Sequence, residues 1–595
     1  MNVRIAAAIT LCLGLAACGN PSEAATEPKP DVGTQLTLNQ GSLIGFKAEN
    51  GAHVWLGIPF AESTAGQNRW RAPRPVSAWD GIRPATTFAP SCPQFSREES
   101  DAGELIGSED CLYLNVYAPP DAQGRDLPVM IWIHGGANVW GAASERDGSK
   151  LAVDQNVILV TVQYRLGPLG FFAHEALRDT ADKPLDRAAN FALLDLIASL
   201  KWVGREIATF GGNPDNVTIF GESAGGQNIA ALIGSPLAKG LFHKAIMQSG
   251  GFDSASLDQA EFANSDFYNP SSVVIDKLGY RDFGSKETAK ALRKTSLADL
   301  FATYATKAEA AKPRLRYNDG TPEFPNIPAV ISDGVTLPKA PLRSLLSDQE
   351  TFNSVPMIMG TTRDELKALF QADPKLVKKR LGLFPAARNQ RRYDLISEYT
   401  SRLWRIHAVD QPAAIISRAG HNEIWAYRFD WDESGSVGMT DLAKLLGASH
   451  GFEAPFIFGT FDVFTDNSKY LFPPKNAESR NALSATMMEY WASFARGGQP
   501  LAQTGPEWPR YTENESQPKI MRFDSEEDKG ISVLTGADSM DKWISDLQND
   551  QKVSRADRCA ILDVLTTYRD GNVIPPPARV QIDALRKSRC TAGQQ

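Results

Sequence analysis

The sequence predicts an α/β fold in which helices cover both faces of a mostly parallel sheet. The first observation is a set of short runs that are apolar at successive positions, the pattern of strands buried on both faces. These runs cover residues 129–133, 157–162, 217–220, 244–248, 355–359 and 425–429. The second observation is the segment 190–203, in which Leu193, Leu194, Ile197 and Leu200 share one helical face. A parallel sheet between layers of helices accommodates both patterns.

Regions of different character flank these runs. Residues 34–59 alternate apolar and polar positions around two turns, at 39–41 and 50–51, which predicts an antiparallel meander. Residues 254–343 are more polar and helical, so we expect an insertion that caps the carboxyl edge of the sheet. Residues 540–595 carry helical patterning and form an expected C-terminal extension. Because a large α/β fold with insertions can remain one compact unit around one sheet, we expect one domain over residues 34–595.

Composition and charge narrow the class of protein. The chain has 595 residues, of which 42% are hydrophobic and 22% charged, so it can bury a sizeable core. A net charge of -8 at pH 7 provides no basic field for nucleic acid, and no nucleic-acid partner is expected.

The N-terminus has the features of a targeting segment. Arg4 precedes an apolar stretch at 5–15 that is too short to span a bilayer, and Leu-Ala-Ala-Cys follows at 15–18. This pattern resembles a bacterial lipoprotein signal peptide (1–17), with Cys18 lipidated as the first mature residue. An ordinary secretory peptide, with Cys18 incidental, is the alternative, and both predict export. Residues 18–33 form an expected flexible tether, so membrane contact is expected only through the N-terminal lipid.

The residues after Cys18 bear on the membrane involved. Gly19 and Asn20 lack the aspartate that resembles an inner-membrane retention signal, which favours the outer membrane. The face of that membrane stays open.

Cysteine usage fits an oxidising compartment. Cys12 leaves with the signal peptide and Cys18 takes lipid, so four cysteines remain in the domain: Cys92, Cys111, Cys559 and Cys590. Four cysteines allow three pairings, and pairing nearest neighbours joins Cys92 to Cys111 and Cys559 to Cys590. The cysteines have no metal-ligand spacing, and we expect no metal or cofactor.

The pentapeptide Gly-Glu-Ser-Ala-Gly at 221–225 predicts a catalytic nucleophile. It lies between a predicted strand (217–220) and a predicted helix (224–233). In G-x-S-x-G the small flanking residues allow a strained turn that exposes the serine hydroxyl at the carboxyl end of the sheet. The five letters alone could arise by chance in a chain with 47 glycines, but the strand and the helix make Ser223 a specific candidate.

A serine nucleophile needs a base and an acid that orients the base, in the chain order Ser, acid, His. Only His407, His421 and His450 lie far enough downstream, and His450 alone is in a loop of small residues, at 447–452. Asp364 and Glu365 both follow the predicted strand at 355–359. Composition does not choose between these two carboxylates, and one of them could simply favour a helix N-terminus.

The tetrahedral intermediate of such a reaction needs backbone N–H groups directed at its oxyanion. The segment Ile-His-Gly-Gly-Ala at 133–137 follows a buried strand and is the expected glycine-rich loop. We expect one donor from Ala224, the residue after the serine, and the others from Gly136 and Ala137.

Together these motifs resemble the type B carboxylesterase family, which includes cholinesterases and many bacterial esterases. The matching segments extend over most of the chain, at 55–61, 108–117, 134–137, 163–171 and 210–226. The resemblance implies an α/β-hydrolase fold, a Cys92–Cys111 disulfide and a triad whose acid is Glu365. The family's His-Gly-aromatic-Glu pattern matches His450. Ser249 matches a serine that supports the acid, and Glu222 is a second supporting residue beside the nucleophile.

Departures from the family pattern bear on substrate. Ala137 replaces the third glycine of the oxyanion loop, and we expect its methyl group to narrow the part of the active site that takes the acyl group. Asn138 stands where the family often has an aromatic residue, and Leu366 replaces a common glycine after the acid. The segment between Cys92 and Cys111 contains no tryptophan, so choline specificity is not implied.

The function predicted from these residues is hydrolysis of small-molecule carboxylic esters through an acyl-enzyme. Acyl transfer to an alcohol or amine is an alternative that uses the same residues. An esterase-like cell-surface binding module is another, but such relatives have lost the nucleophile, whereas Ser223, Glu365 and His450 are all present. The natural ester and the oligomeric state are not predicted.

Overall fold

The computed structural model describes residues 28–98, 100–262, 269–310, 327, 329–462, 468–512, 517–567 and 576–590. The predicted signal peptide (1–17), Cys18 and the tether up to residue 27 lie outside the described residues.

The fold is built on a large mixed sheet, which has eleven strands within the described ranges. In chain order they are β1 (Phe46–Lys47), β2 (His53–Pro59), β3 (Tyr113–Ala118), β4 (Leu127–Ile133), β5 (Ile158–Val162), β6 (Gly212–Glu222), β7 (Lys244–Gln248), β8 (Met357–Thr362), β9 (Ile424–Phe429), β10 (Lys519–Phe523) and β11 (Ser532–Thr535). Their spatial order is β1-β2-β3-β5-β4-β6-β7-β8-β9-β10-β11. Strands β4 to β10 run parallel, and antiparallel strands flank them at both edges.

The six apolar runs identified in the sequence are all strands of this sheet, which confirms the predicted α/β architecture. Strand β4 shows why such runs are apolar throughout, since all seven of its residues are buried. Val129, Ile131 and Ile133 pack into the core on one face. Met130 and Trp132 pack into the core on the other face. Successive side chains point to opposite faces, so a strand covered on both sides needs no polar alternation.

Among the described residues, eight helices have ten or more residues. They are α1 (Phe191–Glu206), α2 (Ala224–Ile233), α3 (Ser285–Lys294), α4 (Gln390–Arg405), α5 (Ala477–Gly497), α6 (Met540–Asn549), α7 (Arg555–Thr567) and α8 (Pro576–Cys590). Shorter helices are Ser149–Gln155, Gly167–Gly170, Glu175–Asp179, Leu257–Glu261, Ser271–Lys277, Leu297–Ala302, Lys307–Ala310, Leu342–Leu345, Gln411–Arg418, Leu442–Leu446, Ala454–Phe458 and Ser468–Leu471. A π-helical turn, Ile406–Asp410, joins α4 to Gln411–Arg418. In the part of the chain that is described, no helix has the length and apolar character needed to cross a bilayer.

The predicted N-terminal meander is present as two antiparallel pairs. Gln35–Leu38 pairs with Gly41–Ile44, and β1 pairs with β2 at the edge of the large sheet. The other short strands are Ile82–Pro84, Gln94–Phe95, Leu105–Ile106, Ala255–Ser256, Ile331–Ser332, Val377–Arg380, Phe384–Ala387, Ser436–Val437 and Thr440–Asp441.

Two regions outside the sheet correspond to the expected insertion and extension. Within 254–343 the described residues form short helices, α3, and the two-residue strands Ala255–Ser256 and Ile331–Ser332. That this insertion caps the active-site edge stays a prediction. Helices α6 to α8 lie in the extension, where Cys559 is bonded to Cys590. Cys92 is likewise bonded to Cys111, so both nearest-neighbour pairs form disulfides.

Candidate active site

The pentapeptide at 221–225 forms a sharp turn between β6, which ends at Glu222, and α2, which begins at Ala224. Ser223 lies at the turn with φ 57° and ψ −121°, a conformation that is strained for a residue with a side chain. Its backbone N–H donates to the Gln248 carbonyl oxygen at 2.8 Å. A Cβ atom on Gly225 would lie 2.0 Å from the Ile133 carbonyl oxygen, so only glycine fits there. The local geometry is that of a nucleophile elbow.

His450 and Glu365 are in direct contact, although 85 residues separate them in the chain. The His450 Nδ1 atom lies 2.5 Å from Glu365 Oε2. Glu365 follows the carboxyl end of β8, and the His450 loop follows that of β9. Since β6, β8 and β9 are parallel, these ends meet at the same edge of the sheet as Ser223.

The second oxygen of Glu365 accepts three further hydrogen bonds. The donors are Ser249 Oγ and Thr361 Oγ1, each at 2.6 Å, and the Thr362 backbone N–H at 2.7 Å. Burial alone would raise the pKa of this fully buried carboxyl. The positive charge of His450 and the hydrogen bonds from His450, Ser249 and Thr361 outweigh burial and lower the pKa. Glu365 is therefore ionised at neutral pH.

Asp364, the neighbouring candidate acid, points into a different set of contacts. Its carboxylate accepts from Arg363 Nε at 2.9 Å, Ser397 Oγ at 3.0 Å and the Ala448 backbone N–H at 3.1 Å. Its backbone also forms a bridge with Ser449, the residue before His450. Asp364 thus stabilises the backbone of the loop that carries His450, whereas Glu365 contacts the imidazole ring itself.

Glu222 lies on the other side of the imidazole. The His450 Nε2 atom is 3.0 Å from Glu222 Oε1. Among the hydrogen bonds of the described residues, none joins Nε2 to the hydroxyl of Ser223. Burial lowers the pKa of His450, but the negative charges and hydrogen bonds of Glu222 and Glu365 raise it well above its ordinary value. The structure therefore holds the imidazole between two carboxylates, which favour its protonated form.

Three further residues complete the surroundings of the imidazole. The Trp404 ring packs edge-on against His450 with centroids 5.1 Å apart, and its Nε1 donates to the Ser249 carbonyl oxygen at 3.3 Å. Glu453 is fully buried and accepts from Tyr427 Oη at 3.4 Å. Burial and the nearby charges of Glu222 and Glu365 raise the pKa of Glu453 to about 8. It is therefore largely neutral at pH 7.

These contacts differ in how far the sequence could reveal them. Thr361 lies only four residues before Glu365, and its hydroxyl donates to the Glu365 carboxylate. Sequence spacing alone therefore indicates that the two residues are close. Trp404 lies 46 positions before His450 in a separate helix, and no sequence pattern links the two.

The glycine-rich loop at 135–138 is held in a left-handed conformation. Gly136, Ala137 and Asn138 have φ values of 90°, 52° and 61°. A Cβ atom on Gly136 would lie 2.0 Å from the Trp140 carbonyl oxygen, which excludes other residues there. Among the described hydrogen bonds, none uses the backbone N–H of Gly136, Ala137 or Ala224. Three amides at the predicted oxyanion positions are therefore available to a ligand.

Buried side chains fix this loop from behind. Tyr164 Oη donates to the His134 carbonyl oxygen at 2.7 Å, and Asn228 Nδ2 donates to Asn138 Oδ1 at 2.8 Å. Asn228 belongs to α2, the helix that begins directly after Ser223. The elbow and the loop are thus joined by a direct side-chain hydrogen bond.

Comparison with known proteins identifies relatives over most of the chain. The sequence profile of the Carboxylesterase family matches residues 32–382 and 383–539. The para-nitrobenzyl esterase of Bacillus subtilis (strain 168) is 34% identical over 509 residues, covering 82% of this chain and 94% of that protein. The human cocaine esterase is 35% identical over 518 residues, covering 80% and 85%.

Solved structures give the same result. A PNB esterase superposes with a TM-score of 0.64 at 32% identity, covering 84% of this chain and 97% of that one. A carboxylesterase of Geobacillus stearothermophilus has a TM-score of 0.64 at 27% identity, covering 86% and 99%. The chain therefore belongs to the carboxylesterase family and is a carboxylic ester hydrolase with an α/β-hydrolase fold.

Proposed function

We propose that the chain hydrolyses small-molecule esters through an acyl-enzyme on Ser223, with His450 as general base and Glu365 as the acid that orients it. The observation that carries the proposal is the 2.5 Å contact between His450 and the buried Glu365, at the edge of the sheet that presents the strained Ser223. A serine hydroxyl is a weak nucleophile until a neighbouring base can take its proton.

The proposed reaction has two matched halves. Ser223 Oγ attacks the ester carbonyl carbon while its proton passes to His450 Nε2, and the Nδ1–H of His450 donates to Glu365. The amides of Gly136, Ala137 and Ala224 stabilise the oxyanion. His450 then gives the proton to the leaving alcohol, and the acyl group stays on Ser223. Water repeats the sequence on the acyl-enzyme and releases the carboxylic acid.

Glu222 modifies the start of this cycle. In the structure the Nε2 atom of His450 faces Glu222. A protonated imidazole cannot act as a base, so the proton must leave Nε2 and the Ser223 hydroxyl must replace Glu222 as its partner. We infer that Glu222 stabilises a resting, protonated His450 and thereby sets the pH at which the enzyme becomes active.

The location of the enzyme is a separate proposal. The lipoprotein-like segment ending at Cys18 supports export and attachment by lipid, with the outer membrane favoured. Radiolabelled palmitate incorporated into the wild-type protein, and lost in Cys18→Ser, would test it. Signal cleavage without lipid incorporation would leave the ordinary secretory peptide.

The test of the catalytic proposal is hydrolysis of p-nitrophenyl esters, from acetate to long acyl chains, by residues 34–595. Ser223→Ala should lower turnover by about three orders of magnitude or more. Ser235→Ala is a matched control, because that serine is buried and donates to the Thr336 carbonyl oxygen. Near-normal activity of Ser223→Ala would refute the assignment.

Two further readouts separate the alternatives. A fluorophosphonate probe should label the wild type and Ser235→Ala but not Ser223→Ala, whereas a binding module would take up no label. Added methanol should divert only a minor part of the acyl product to the methyl ester. If the methyl ester dominates in dilute methanol, the enzyme is an acyltransferase.

A further inference from the structure

A basic β-hairpin stands out in this acidic chain. Its strands are Val377–Arg380 and Phe384–Ala387, and we call residues 375–388 the basic hairpin. It carries five cations and no acid: Lys375, Lys378, Lys379, Arg380 and Arg388. The chain as a whole has a net charge of -8, so this charge is a local concentration.

The cations of the basic hairpin are exposed. Within the described part of the chain, none of the five forms an ion pair with a carboxylate. By contrast, Arg391 and Arg392, a few residues further on, both form ion pairs with Asp557, so their charges are partly neutralised. Like charges held close together on one hairpin repel each other, so an anionic partner would stabilise the arrangement.

The tip of the hairpin is apolar. Leu381 is 80% exposed and has φ 50°, so the turn directs a large hydrophobic side chain into solvent. A second exposed apolar residue, Met439, is 50% exposed in the turn between Ser436–Val437 and Thr440–Asp441. The two hairpins are in contact through their strands, because Thr440 Oγ1 donates to the Pro385 carbonyl oxygen at 3.0 Å. The surface therefore combines cations with two exposed apolar side chains.

Chain order relates this surface to the segments that carry the active-site residues. The basic hairpin follows the carboxyl end of β8, as Glu365 does, and the Met439 turn follows the carboxyl end of β9, as His450 does. The hairpin leads into the N-terminus of α4, and the opposite end of this helix places Trp404 against His450.

We propose that the basic hairpin docks the enzyme on an anionic lipid surface. Its five cations contact headgroup phosphates, and Leu381 and Met439 insert at the boundary with the acyl chains. Lipid is favoured over nucleic acid because the large exposed hydrophobic side chains of this surface, Leu381 and Met439, are not aromatic, whereas nucleic-acid grooves use aromatic stacking with a broad basic field. Docking rests on the described residues alone and does not require the proposed lipid anchor.

The test is sedimentation with vesicles of 30 mol% phosphatidylglycerol in phosphatidylcholine, and with pure phosphatidylcholine, at about 0.1 M salt. The protein is residues 18–595 with Cys18→Ser, the whole expected mature chain without its lipid. We expect binding to the anionic vesicles and not to the neutral ones. Each Lys or Arg near an anionic surface contributes about fivefold in affinity, so Lys378→Gln with Lys379→Gln and Arg380→Gln should weaken binding by about 100-fold.

Two variants and one competitor make the result specific. Lys286→Gln with Lys290→Gln and Lys294→Gln removes the same charge from exposed positions on α3 and should leave binding unchanged. Leu381→Ser should weaken binding without changing net charge. All variants should hydrolyse soluble p-nitrophenyl acetate at the wild-type rate, which verifies folding. Equal losses in both triple variants, or no vesicle binding by the parent protein, would overturn the proposal, as would tighter binding to a 20-base-pair DNA duplex than to the vesicles.

Discussion

Glu365→Gln is the substitution that most directly tests the proposed triad. Three donors converge on Glu365 Oε1, so the amide oxygen of glutamine must take that position. The amide NH2 group then faces His450 Nδ1, 2.5 Å away in the wild type. Two donors cannot face each other, so the imidazole must carry its proton on Nε2. In that tautomer Nε2 has no lone pair to accept the proton of Ser223.

The magnitude follows from the loss of the base. When the acid of a Ser-His-Asp triad is replaced by its amide, kcat falls by about 10⁴, which corresponds to about 5.5 kcal/mol of activation free energy. We expect a loss of that order for p-nitrophenyl acetate, with KM changed little, because Glu365 is fully buried and therefore inaccessible to substrate. The measurement is kcat and KM, with the melting temperature recorded for the same preparation.

Asp364→Asn is the matched control, since it makes the same chemical change one residue earlier. The substitution would remove the ion pair between Asp364 and Arg363, but Arg363 keeps Asp432 at 2.5 Å. We expect kcat within about tenfold of wild type and a stability loss of roughly 1–3 kcal/mol. A severe loss of kcat in a folded Asp364→Asn, with Glu365→Gln active, would move the acid by one residue and refute the reasoning.

Three other predictions concern charge and the extension. Glu222→Gln removes one of the two carboxylates that raise the pKa of His450, so kcat/KM should begin to rise at a lower pH than in wild type. An unchanged dependence of kcat/KM on pH would contradict the proposal that Glu222 stabilises protonated His450. The pKa of Glu453 is about 8 in the folded chain against an ordinary value of 4.5, so the stability from its neutral form is lost as pH rises between those two values; the melting temperature of Glu453→Gln should fall less between about pH 5 and 8.5 than that of wild type. Replacing Cys559 and Cys590 together by serine removes a disulfide between cysteines 31 positions apart. The free energy of unfolding of the extension should fall by about 3–4 kcal/mol, and trypsin should cleave the extension faster while esterase activity stays equal.

Most of the central sheet could be predicted because each buried strand is itself a run of apolar residues. β4 and β5 are buried along their whole length, and a buried strand is apolar at nearly every position. β10 and β11 could not be predicted in the same way. β10 contains Lys519 and Arg522, and β11 alternates between partly and largely exposed positions at the sheet edge. Their position depends on pairing with β9, which is a tertiary contact.

The residues of the candidate site differ in the same way: some are identified by local sequence, and others depend on tertiary contacts. Ser223 is identified by the local backbone strain that its glycine neighbours permit. Glu365 and His450 are identified by chain order and by the family pattern. The contact between His450 and Glu222 has no counterpart in the sequence, because Glu222 directly precedes the nucleophile and could point to either side of the elbow. Gly135 leaves room for the observed direction, because a Cβ atom there would lie 2.9 Å from Glu222 Oε2.

The electrostatics of the site follow from which carboxyls have a cationic partner. Glu365 and Glu222 share the imidazolium of His450, and the pKa of Glu365 is lowered accordingly. Glu453 has no direct contact with the imidazolium among the described hydrogen bonds and ion pairs; its burial and the negative charges of Glu222 and Glu365 raise its pKa, and the charge of His450 offsets this only in part. A third ionised carboxylate would stabilise the imidazolium further and remove His450 from service as a base. Keeping Glu453 neutral limits the negative charge around His450 to two carboxylates, one of which, Glu222, can be exchanged for the serine hydroxyl when the reaction begins.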